Sequence, residues 1–81
     1  MKTCEELATA VREDRIGFQE ALLFHLEHRH PDHFNIEAFF VLSMAISYSN
    51  MGRPEVSLEI DGDKATAGEW VRRFGLEPFV E

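Results

Sequence analysis

Apolar positions recur every three to four residues through most of the chain, then every second residue over one short stretch before the last helix-like segment. The longer period is that of a helix face and the shorter that of a strand face, so the pattern reads as helices interrupted by a hairpin. Thr3 and Glu6 have the spacing of a capping box, and Leu7, Ala8 and Val11 follow on one face of a first helix. Asp14 is placed to cap a second helix running from about Arg15 to Arg29, with Phe18, Ala21, Leu22 and Leu26 as its apolar stripe. Pro31 stops it, because a proline disfavours helix in the residue before it.

The stretch from Phe34 to Asn50 admits two readings. Its ends are helical: Asn35 is a good N-cap, Gly52 suits a C-terminal turn and Pro54 lies beyond. Its middle alternates, with Phe40, Leu42, Met44, Ile46 and Tyr48 spaced by two. The end signals and the length favour helix, with a strand over 39–48 as the alternative. In both readings this element is largely buried and forms the centre of the core. Val56, Leu58 and Ile60 then alternate with Ser57 and Glu59 as a half-buried strand. Asp61-Gly62 is a two-residue turn, and Asp63 to Ala65 is the return strand. Thr66 with Glu69 repeats the capping box ahead of a last helix that carries Trp70, Val71 and Phe74 on one side and Arg72 and Arg73 on the other. Gly75 closes that helix and places Leu76 against Val71. The predicted fold is one domain over residues 1–81, α+β and mostly helical, in the order α-α-α-β-β-α; the strand alternative gives α-α-β-β-β-α.

Charge narrows the functional classes. Fifteen acidic residues against eight basic ones give a formal charge of -7 on 81 residues. A grip on a phosphate backbone needs clustered Lys and Arg, so direct nucleic-acid binding is not expected, and anionic membrane surfaces repel such a chain. The longest near-apolar run, Ile36 to Ile46, is too short to span a bilayer. One cysteine, Cys4, allows no internal disulfide and fits a reducing, cytoplasmic setting. A chain this short has a modest core, which leaves room for a homodimer to extend the burial.

Three constellations bear chemistry. All four histidines, His25, His28, His30 and His33, fall within nine residues, and the first two are helix neighbours three apart. Zinc accepts such ligands, but His25 lies on the apolar stripe, where a hydrogen-bonded core histidine is the simpler explanation. The second is acidic: Glu55, Glu59, Asp61 and Asp63 lie within nine residues free of Lys and Arg. On a strand their alternate spacing of about 6.8 Å is of the order of the phosphate repeat in a nucleic acid. The third, Ala65 to Pro78, has the rhythm of half a helix-turn-helix, but only three residues follow and no recognition helix can form. No activated serine, phosphate loop or paired carboxylates indicate an enzyme, and no cofactor is implied. The sequence therefore points to a small non-enzymatic protein-binding module, an inhibitor or accessory factor. Its acidic face of Glu55, Glu59, Asp61 and Asp63 would meet a basic partner surface. The alternative is a metal-binding protein using the four histidines.

Overall fold

A computed structural model describes residues 3–81. The order is α1 (Cys4–Arg12), α2 (Phe18–Arg29), α3 (Ile36–Asn50), β1 (Ser57–Ile60), β2 (Asp63–Thr66) and α4 (Ala67–Arg73), with short 3-10 turns at Pro31–His33 and Glu77–Phe79. This is the mostly helical α+β arrangement that the periodicity predicts. Positions 39–48 lie inside α3, so the strand alternative is not formed. Asn35 accepts the backbone N–H of Ala38 at 2.8 Å and opens α3, and Gly52, at φ +75°, follows its last turn. Both capping boxes form. Thr3 and Glu6 open α1, and Thr66 and Glu69 open α4.

The second helix begins three residues later than its sequence suggests, and Asp14 does not cap it. Asp14 sits at φ 60°, and the N–H of Arg15 reaches back to Ala10 O at 2.8 Å. The residue therefore terminates α1 in the left-handed position usually held by glycine, which an aspartate tolerates. Gly17 takes the N-cap of α2 without a side-chain bond.

The hairpin pairs Ser57 with Thr66, Leu58 with Ala65, Glu59 with Lys64 and Ile60 with Asp63. Asp61 at φ 52° and Gly62 at φ 80° give the two positive angles that a type I′ turn demands. The core gathers Leu7, Leu22 and Leu26 from α1 and α2 against Ala38, Leu42, Ala45 and Ile46 of α3, with Trp70 and Val71 of α4 and its C-cap Phe74 closing it. The tail joins in: the ring of Phe79 is buried and meets Phe18 edge-on at 5.7 Å between centroids.

α3 is less buried than its sequence suggests. Its inner face is the centre of the core, but Phe40 and Met44 are not part of it; they lie 59 % and 41 % exposed. The alternating residues that suggest a strand are split by the helical period. Leu42 and Ile46 turn inward with Ala38, Val41 and Ala45, while Phe40 and Met44 turn out with Ile36, Ser47 and Met51.

Candidate interaction surfaces

Two of the four histidines, His25 and His30, meet at one backbone carbonyl. Phe74 caps the C-terminus of α4, Gly75 follows at φ 65°, and Leu76 N–H bonds back to Val71 O at 2.8 Å. The carbonyl of Phe74 has no acceptor role left inside the helix. His25 Nε2 lies 2.7 Å from it and His30 Nε2 3.1 Å. A carbonyl only accepts, so both rings carry their proton on Nε2 and donate. His33 meets the Phe74 ring edge-on, whereas His28 stacks on Phe24 at 4.1 Å and donates toward Phe24 O. The four histidines therefore do not converge as a ligand set. Among the described residues no group of three or more His, Cys, Asp or Glu is arranged to hold a metal ion.

Burial, and next the neighbouring His25, hold His30 below its ordinary pKa of 6.5, although its bond to the Phe74 carbonyl pulls the other way. A histidine that resists protonation in the folded state binds fewer protons than the unfolded chain does. Its effect is to make stability rise with pH, from its lowered value up to about 6.5. Urea unfolding at about pH 5.5 and about pH 7.5 should show a loss at the lower pH, and His30→Gln should show a smaller one. Equal losses in both chains would remove His30 from the effect. Cys4 is the other perturbed group: burial first, then Glu77 and Glu5, push its thiol up to about 11. It stays protonated and inert near neutrality.

An open groove of about 1360 Å³ passes these residues between α1, α2 and the end of α4. Arg12, Arg29, Arg72 and Arg73 line it with Glu5 and Glu77, so half of the chain's eight cations face two of its fifteen acids. The negative surplus is thereby left to the remaining surface. Two of the four arginines serve the fold. The Arg12 guanidinium donates to Pro78 O, and Arg73 reaches Asp63 at 3.0 Å and Glu69 at 3.8 Å.

All four carboxylates singled out in the hairpin are exposed, yet they do not form an unrelieved acidic face. Arg53 approaches Glu55 at 3.6 Å, Lys64 sits opposite Glu59 in the ladder, and Arg73 holds Asp63. Arg53 and Lys64 lie just outside the acidic stretch in sequence and Arg73 lies on the last helix, so a count within the stretch misses them.

The surface that sequence reasoning did not find lies along α3. Ile36, Phe40, Met44 and Met51 are 73 %, 59 %, 41 % and 63 % exposed, and Ser47 continues the same row. The steps from Phe40 to Met44, Ser47 and Met51 are four, three and four residues, the spacing of a seam that packs on another helix. A shallow groove of about 550 Å³ lies along it, bordered by Phe40, Ser43, Met44, Ser47, Tyr48 and Met51. Glu37 is the helix's one charged residue. A surface helix carries a polar outer face, and a helix that is apolar all round is a buried one. The signal in the sequence is that fifteen-residue segment with a single charge, too apolar for a helix with water on one side.

Compared with known protein families, curated proteins and solved structures, the chain matches none of them. Its surfaces therefore carry the functional argument. No helix among the described residues is long and apolar enough to cross a membrane.

Proposed function

We propose that this chain is a non-enzymatic protein-binding module, acting as an inhibitor or accessory factor, that docks through the outer face of α3. The observation that carries the reading is the row Ile36, Phe40, Met44 and Met51, with Ser47 between the last two: apolar side chains in water along a helix with one charge. Contiguous exposed apolar surface of this kind marks interaction sites. Phe40 and the two methionines have the character of an interface centre, being large and, for Met, adaptable. The thiol state of Cys4 supports a non-catalytic role, as does the use of His25 and His30 as caps for a helix end.

The acidic hairpin is a second contact in this reading, favoured by the exposure of Glu59 and of Asp61 at the turn tip. Charges at an interface edge set partner choice and encounter rate more than affinity.

A photo-crosslinking residue at position 40, with position 20 on α2 as control, tests the reading in lysate of the natural source. We expect one discrete adduct from position 40 and none from position 20. Excess unlabelled chain should compete it away, and the Phe40→Asp/Met44→Asp variant should not. A variant with Glu55→Gln, Glu59→Gln, Asp61→Asn and Asp63→Asn should compete more weakly than the native chain if the hairpin contributes. Adducts that are equal from both positions, or that both variants suppress as well as the native chain does, would remove these surfaces from the function.

A further inference from the structure

We propose that the occupant of the α3 face is a second copy of this chain, laid antiparallel across it, so that two α3 helices form the centre of a two-fold dimer. The inference rests on the docking reading of that face and names its partner. Three features of the face select it.

The first is area. At about 200 Å² for a side chain of this size, the exposed fractions of Ile36, Phe40, Met44 and Met51 leave on the order of 500 Å² of apolar surface per copy. Two copies bring on the order of 1,000 Å² together before Glu37, Ser47, Tyr48 and Arg53 are counted, and specific interfaces begin near 1,200 Å² in total. The face is thus of the size that two copies of a small chain can close on each other.

The second is self-complementary shape. A two-fold axis makes a patch meet itself, with each residue's contact repeated in reverse. With the axis beside Met44, an antiparallel pair sets Ile36 against Met51 of the second copy and Phe40 against its Ser47. A large ring then lies over a small side chain on both sides, and the two flexible Met44 chains meet at the axis. A parallel pair sets Phe40 on Phe40 and Ser47 on Ser47, one crowded and one empty.

The third is charge. Glu37 lies in the first turn of α3, and Arg53 follows its last. The N–H of Arg53 bonds to Tyr48 O at 2.8 Å, which fixes that residue to the helix end. The antiparallel pair brings each Glu37 toward Arg53 of the second copy and opposes the helix macrodipoles. The parallel pair places Glu37 beside Glu37 and aligns the dipoles. The stripe itself is uncharged, so the chain's acidity does not concentrate at the contact.

Sedimentation equilibrium of the full chain tests this. At about 100 μM, above the micromolar Kd that a small interface supports, the mass should approach twice 9.3 kDa. Phe40→Asp should weaken association at least about 10-fold, with thermal unfolding confirming that the variant is folded. Glu37→Arg and Arg53→Glu should each weaken it about 3-fold, and the two together should restore it. A monomer at that concentration overturns the proposal, as does a dimer indifferent to Phe40→Asp. A double charge swap weaker than either single swap overturns the antiparallel register. If the chain is monomeric while position 40 still crosslinks to another protein, the second copy is excluded and the docking face stands. If both results are negative, both readings fall.

Discussion

Leu42→Ala is expected to lower the unfolding free energy by about 3 kcal/mol, while Phe40→Ala, two residues away, leaves it within about 1 kcal/mol. Leu42 is 0 % exposed and lies amid the buried side chains of the core. Its truncation loses the transfer energy of the removed methyls and leaves a cavity that the neighbours fill only in part. For a small domain whose whole stability is on the order of 5–15 kcal/mol, that is a large fraction. Phe40 is mostly in water, so its removal costs little folding energy and should instead weaken association. Urea titrations of the two variants, run below the association range, check the contrast. Similar losses in both would mean that the outer row of α3 belongs to the core.

Trp70→Ala is expected to cost about 3–5 kcal/mol. The indole is 3 % exposed, lies 6.0 Å from the Phe74 ring between centroids, and donates from Nε1 to Leu58 O at 3.0 Å. It thus ties α4 to the first strand of the hairpin, with the Arg73 guanidinium 4.9 Å above its ring centroid. Trp70→Phe keeps much of the apolar volume and loses the donor, so about 1 kcal/mol is expected from the one hydrogen bond lost. Thermal unfolding of both variants would separate packing from hydrogen bonding. Near-native stability of Trp70→Ala would reassign the residue to a surface role.

Local signals transmitted the fold well. Thr3, Asn35 and Thr66 cap helices as their spacing implies, and Asp61-Gly62 adopts the turn that its dihedral needs select. Asp14 misleads because an aspartate before a helical pattern can also end the helix behind it. Here the local bonds of Asp14 N–H to Val11 O and of Arg15 N–H to Ala10 O give it the second role. The site was harder to read, since burial on α3 depends on what packs beside it. Leu42 and Phe40 look alike in a hydrophobicity pattern, and only the placement of the neighbouring helices separates them. The same holds for the acidic hairpin: Arg53 and Arg73, which approach Glu55 and Asp63, come from before and after it, and Lys64 stands opposite Glu59 in the ladder. His25 was legible as a buried histidine on an apolar stripe. Its partner, the carbonyl of Phe74 forty-nine residues on, was not.

The central claim is that α3 divides its apolar residues between the core and a docking surface. A dilution series of amide NMR spectra on the full chain measures this residue by residue. Concentration-dependent shifts are expected at Ile36, Phe40, Met44, Ser47 and Met51, with the signals of Arg12, His30 and Arg72 in the groove unmoved. Shifts confined to the groove, or spectra that do not change with concentration while the crosslink at position 40 is also absent, would contradict that claim.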